Sequence, residues 1–158
     1  MWQRKQTIFL GLTILCLALS NFFPIWSVVD GNQMQMLYPL HYTIKTTSGA
    51  EVTRVANYFP YALTAILSIA AATIAFIEIG KFENRLLQLK MAALNSLIMM
   101  LAIGSSVYFA TKLIKANQLA GAYDFGLWLP AVAMVSNLIA NRFIRKDEKI
   151  VRDSDRIR

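Results

Sequence analysis

Phe125 to Ile144 reads FGLWLPAVAMVSNLIANRFI, twenty residues with no acid and a single cation, Arg142, two places from its end. The fourteen residues that follow, RKDEKIVRDSDRIR, are almost all charged. An apolar helix of this length matches the ~30 Å hydrocarbon thickness of a bilayer, and Lys and Arg collect at the cytoplasmic ends of spans. This seam constrains everything upstream: the segment crosses a membrane, and its charged end lies inside.

Three further apolar runs fit the same frame. Ile8 to Trp26 follows Arg4 and Lys5. A cleavable signal peptide shares that charged start, and Ala18-Leu19-Ser20 loosely fits a cleavage site. Hydrophobicity nevertheless continues through Phe22, Phe23, Ile25 and Trp26, which favours an uncleaved span. Leu15 stands where lipoprotein processing at Cys16 would need a small residue. Tyr58 to Ile79 opens on the aromatic cluster Tyr58-Phe59-Pro60-Tyr61, and Ala65, Ser68, Ala72 and Ala75 make a small-residue stripe for helix packing. Glu78 lies at its inner edge beside Lys81, where both side chains are expected to reach the headgroups. Met91 to Thr111 carries a second stripe, Ala102, Ser106 and Ala110.

Charge orders these four spans. Twelve of the sixteen Lys and Arg fall at the N-terminus, in the link Gly80 to Lys90, or from Arg142 onward. Both termini are therefore expected in the cytoplasm. The net charge of +7 sits at the ends of apolar runs, and neither a zinc-finger spacing nor an RNA-binding aromatic motif accompanies it. Nucleic-acid binding is set aside on that ground. With 56% hydrophobic residues and a mean hydropathy of +0.46, a water-soluble monomer is excluded as well. Cys16 is the single cysteine, so no intramolecular disulfide can form.

Residues 27–57 form the one sizeable polar segment. Asp30-Gly31 is a turn signal, and Leu40, Tyr42 and Ile44 alternate with His41, Thr43 and Lys45 at the period of a strand. Thr47-Ser48-Gly49 is turn chemistry, followed by a second extended piece around Val52 and Val55. The pattern predicts a small β hairpin on the outer face, leaning on the helix ends because a lone hairpin is marginal in water.

Chemistry is scarce. The middle of the four spans lacks Asp, Glu, Lys, Arg and His, so no acid–base pair or proton relay can be drawn, and no catalytic, cofactor-binding or metal-binding residue is assigned. His41, the one histidine, is expected at a solvent-facing strand position, without the second His or Cys a metal site needs. Asn95 and Asn137 lie at matching depth on antiparallel spans. They are expected to hydrogen-bond across the pair, flanked by Ala102, Ser106 and Ala133 on the facing surfaces. A polar lining for a solute pathway is the competing reading. In the tail, Arg145, Lys146, Lys149, Arg152, Arg156 and Arg158 alternate with acids at helical spacing. They are expected either to be solvated or to dock on a partner.

The start QRKQTIFL and the end IRKDEKIVRDSDRIR resemble the small four-span membrane proteins of Bacteroidota known as domain of unknown function 4293, and spacing and span number agree along the chain. The resemblance implies a bacterial cytoplasmic membrane and a four-helix architecture. It brings no activity, ligand or catalytic residue.

The expected fold is an all-α membrane protein: an antiparallel four-helix bundle (spans 8–26, 58–79, 91–111 and 125–144), an outer hairpin (27–57) and a charged helical tail (145–158). The expected function is that of a non-enzymatic accessory or scaffold subunit, partnered by the lipid bilayer and by a larger membrane-protein complex such as protein export or insertion machinery. No cofactor is expected. The alternative is a transporter or channel for a small solute or lipid, and an enzyme ranks third.

Overall fold

The four apolar runs become helices α1 (Lys5–Ser20), α2 (Ala62–Gly80), α3 (Arg85–Asn117) and α4 (Phe125–Asp155) in a computed structural model that describes residues 5–48, 51–81 and 84–155. Each helix packs on two others in a closed ring, α1 against α2 and α4, and α3 against α2 and α4. Neighbours run antiparallel: Thr13 meets Ala133, Thr64 meets Ser105, and Asn137 meets Ala92. Asn84 caps α3 by accepting a 3.0 Å bond from the Leu87 amide, and Gln118 ends it in the left-handed conformation, φ 54°.

The helix faces are inverted relative to a water-soluble bundle. Ala65, Ser68, Ala71, Ala75, Ala92, Ala102, Ala110, Ala133 and Ala140 are buried, whereas Ile66, Ile69, Phe76, Leu94, Leu97, Leu101, Val132 and Val135 face outward. Lipid tails are as apolar as Leu, so in a bilayer the large side chains gain nothing by turning inward, and small ones let the helices approach. The helices α2, α3 and residues Phe125–Ile150 of α4 are long and apolar enough to cross a membrane; α1 is apolar but shorter.

The remaining chain is not a lone hairpin. Strands β1 (Trp26–Asp30), β2 (Gln33–Leu37), β3 (Tyr42–Ser48), β4 (Glu51–Asn57) and β5 (Ala122–Tyr123) form one antiparallel sheet in the order β4-β3-β2-β1-β5. This overturns the all-α class. The predicted hairpin is present as β3 and β4, with its turn at residues 49–50 outside the described residues. The pieces missed were β1, β2 and β5. Trp26 was assigned to the end of the first span because it continues an apolar run. Instead α1 stops at Ser20, and Trp26 opens β1 with no exposed surface.

The sheet rests on an overhang. At a rise of about 1.5 Å per residue the thirty-three residues of α3 span about 50 Å. Phe109, Ala110 and Leu113, near its end, form a core with Ile25, Trp26, Leu37 and Tyr42. Trp26, Leu37 and Tyr42 are cross-strand neighbours in one row, so one face of the sheet covers this end of the bundle. Backbone bonds fasten it to α4: Asp124 N–H donates to Ile25 O at 3.0 Å and Gly126 N–H to Pro24 O at 2.8 Å. The opposite end of the bundle carries the charged tail, which continues α4 as helix to Asp155.

Candidate functional site

At the tail end of the bundle the small-residue faces give way to polar side chains turned inward. On α1, burial repeats at Gln6, Leu10, Thr13, Leu17 and Ser20. On α2 the buried series Ser68, Ala71, Ala75 ends in Glu78. On α3 it opens with Gln88, Ala92 and Asn95, and on α4 it includes Asn137 and Asn141. Glu78, Asn95 and Asn137 have no exposed surface, and Gln6, Gln88 and Asn141 are at most 8% exposed.

Contacts between the helices set the depth of each side chain. Ser68 Oγ donates to Leu17 O at 3.2 Å; Glu78 lies ten residues beyond Ser68 and Gln6 eleven before Leu17, about 15 and 16 Å toward the tail end. Thr13 Oγ1 donates to Ala133 O at 3.3 Å, and Gln6 and Asn141 lie about 11 and 12 Å from that level. Gln88 Nε2 donates to the Glu78 carbonyl at 3.2 Å. Asn137 Nδ2 donates to Ala92 O at 3.3 Å, which puts Asn141 and Gln88, each one turn further on, abreast. Gln6, Glu78, Gln88 and Asn141 thus form one layer with a contribution from every helix. Asn95 and Asn137 lie above it toward the sheet.

This layer corrects two expectations. Glu78 was expected to reach the headgroups with Lys81, but helix phase turns it the other way, onto the face shared with Ala75 and Ala71. Asn95 was expected to bond Asn137. Asn137 instead bonds Ala92 O and, at 3.0 Å, Ser96 Oγ, while both amide atoms of Asn95 lack a partner. Ala102, Ser106 and Ala133 are buried between the helices; Ser106 bonds only the Ala102 carbonyl of its own helix, at 2.9 Å.

Electrostatically the layer is lopsided. Gln6 Oε1, both carboxylate oxygens of Glu78, Gln88 Oε1, Asn95 Oδ1, Asn137 Oδ1 and Asn141 Oδ1 are buried without a hydrogen-bond partner, against one nitrogen, Asn95 Nδ2. Burying such groups unpaired costs about 1–3 kcal/mol each, and more for a charge. The sequence signal for it was present: Ala65, Ser68 and Ala75 share a helical stripe whose next position is Glu78. Gln88 lies outside the expected third span, 91–111, because α3 begins at Arg85.

The other assigned residues lie at the two ends. Arg145, Lys146, Lys149 and Arg152 are exposed along the tail helix; Arg156 and Arg158 lie outside the described residues. Arg85 Nη1 donates to Asp147 O at 2.7 Å and ties the tail helix to the start of α3. His41 is half-buried between strands, its ring 5.0 Å from that of Tyr38 and 5.5 Å from that of Tyr58. Burial holds its pKa below the ordinary 6.5, and the Arg54 guanidinium adds to this. Among the described residues no three His, Cys, Asp or Glu come together as a metal cluster.

Membrane-length helices with inverted faces, capped by an antiparallel sheet, define a helical membrane protein. A family model described as a domain of unknown function, DUF4293, matches residues 2–157, nearly the whole chain, and the protein belongs to that family. No curated protein matches it.

Proposed function

We propose that this protein is a non-enzymatic accessory subunit of a bacterial cytoplasmic-membrane complex, with four helices in the membrane, both termini in the cytoplasm and the sheet outside. Its sheet edge would hold an extended, acidic segment of a partner. The observation that carries this is β4: all seven of its residues are exposed, and among the described residues no strand lies beside its second edge. An open edge presents unpaired backbone donors and acceptors, a template for an added strand.

Charge selects the occupant. Lys45 and Arg54 are directly opposed across β3 and β4, beside Val29 and Met34 in the same cross-strand row. Like charges placed opposite one another destabilise a sheet unless something neutralises them. Strand alternation puts the acids Asp30 and Glu51 on the other face. A second copy is a poor occupant. Arg54 is the midpoint of β4, so symmetric antiparallel pairing would bring two such guanidinium groups together. An acidic segment meets both needs.

Photo-crosslinkers at Val52 and Val55, in intact membranes, test the reading. The expected result is a crosslink to an acidic extracytoplasmic segment of another membrane protein, lost when Lys45→Glu and Arg54→Glu are combined. A crosslink only to a second copy, or none, overturns it. A transporter is the second reading, favoured by one observation: Glu78 buried within the helical ring.

A further inference from the structure

We propose that the polar layer is a binding site for a monovalent alkali cation, with the Glu78 carboxylate as charged ligand and the amide oxygens of Gln6, Gln88 and Asn141 at the same level, and of Asn95 above, as neutral ligands. The inference is independent of what docks on the sheet.

Three observations converge. The first is the excess of unpartnered buried oxygen. Seven such atoms against one nitrogen is an acceptor set waiting for positive charge, because amides and carboxylates buried among themselves would otherwise pair donor with acceptor. The second is that, among the described side chains, none supplies a counter-charge. Neither oxygen of Glu78 has a partner, Lys81 and Arg142 are exposed, and Arg85 is bonded to the Asp147 carbonyl. Third, Gln6, Glu78, Gln88 and Asn141 bring a ligand from each of the four helices to one depth, as in a coordination shell.

The kind of cation follows from charge and ligand type. Carboxylate and amide oxygens are hard donors, suited to alkali and alkaline-earth ions and not to metals that prefer thiolate or imidazole. One carboxylate balances one positive charge. A divalent ion would leave a net charge buried between apolar helices, which is costly in a low-dielectric surrounding. The bound ion would also reward folding, since it binds the assembled bundle and has no comparable site in the unfolded chain.

Purified protein in detergent provides the test. Thermal unfolding is followed while NaCl, KCl or LiCl replaces choline chloride at constant ionic strength and fixed pH. The expected result is a saturable rise in Tm with at least one alkali ion and none with choline; Glu78→Gln abolishes the dependence. Equal Tm in alkali and choline salts overturns the proposal, as does a Glu78→Gln protein that titrates like the wild type. Dependence on pH alone overturns it too, since the carboxyl then carries only a proton. Should Glu78→Gln fail to fold, the wild type still decides: equilibrium dialysis with radioactive sodium, and the other ions as competitors, is expected to show saturable binding. Gln88→Leu is expected to weaken that binding at least about tenfold. No saturable binding, or unchanged binding in Gln88→Leu and Asn95→Ala alike, counts against the site.

Discussion

Gln88 on α3 donates its Nε2 to the backbone carbonyl of Glu78 on α2 at 3.2 Å, while the carboxylate of that same Glu78 accepts nothing. That carbonyl also accepts from the Lys81 amide at 3.2 Å, so the Gln88 bond is a second one at the end of α2, where carbonyls lack helical partners. It also commits the amide. With its nitrogen held by α2, Gln88 keeps Oε1 buried and without a partner, in the same layer as the unpartnered Glu78 carboxylate. The unpartnered Gln88 oxygen is thus a consequence of how α2 is terminated.

Asn137 and Asn95 are adjacent in depth and opposite in bonding. Asn137→Ala removes the bonds to Ala92 O and Ser96 Oγ and is expected to destabilise the protein by ~1 kcal/mol. Asn95→Ala removes an amide with no partner, so in choline chloride its cost is expected to be smaller. Reversible unfolding of both variants in the same detergent checks the order, and a larger loss for Asn95→Ala would contradict the bonding described.

Gly126 gives the sheet its seat on α4. A Cβ there would come within 2.6 Å of the Pro24 carbonyl carbon and closer still to the Phe23 and Pro24 oxygens, all rigid backbone. Gly126→Ala is expected to cost about 1–3 kcal/mol, the usual range for overpacking. Trp26 is buried in the core beneath the sheet, so its fluorescence should shift to the red if the sheet lifts. Gly104→Ala, with open space around the added carbon, is the control and should leave stability nearly unchanged.

His41 makes the sheet acid-sensitive. Its folded pKa lies below 6.5, so the unfolded chain binds the proton more readily. Stability should therefore fall as pH drops from about 6.5 toward the depressed value, and level off below it. His41→Phe keeps a ring between Tyr38 and Tyr58 and should flatten the dependence. Unfolding between pH 7.5 and 5 checks this; an unchanged slope in the variant would remove the assignment.

The orientation of the molecule can be read by labelling. Cys16 is buried, so single cysteines at Val52 and Lys149 dominate reactivity. In intact inner-membrane spheroplasts a membrane-impermeant maleimide should label Val52→Cys and spare Lys149→Cys until the membrane is opened. The reverse pattern would invert the topology.

Long apolar stretches needed no tertiary partner to be recognised. Residues 62–80, 85–117 and 125–150 satisfy their backbones internally, and hydrophobicity alone commits them to helix in a bilayer. The β3–β4 hairpin was legible for a similar reason, through alternation at Tyr42 to Lys45. Strands β1 and β2 were not. Trp26 looks like the end of a span until Leu37, Tyr42 and Phe109 bury it, and in β2 burial does not follow the QMQML alternation: Met34 is exposed, whereas Gln35 is buried with Met36 and Leu37. A strand exists by virtue of its neighbours, and those neighbours are far away in the chain.

Charge placement and apolar length, local properties both, therefore marked this chain as a membrane protein, and three of its helices are long and apolar enough to cross. Tertiary structure decided which way Glu78 points and what surrounds it. Near the end of a helix a carboxylate is a few residues from water along the axis, and a turn of about 100° per residue chooses between lipid headgroups and the core. That choice rests on the packing of Ala71 and Ala75 against the neighbouring helices, and it turns an ordinary surface acid into the one buried acid of the bundle among the described residues.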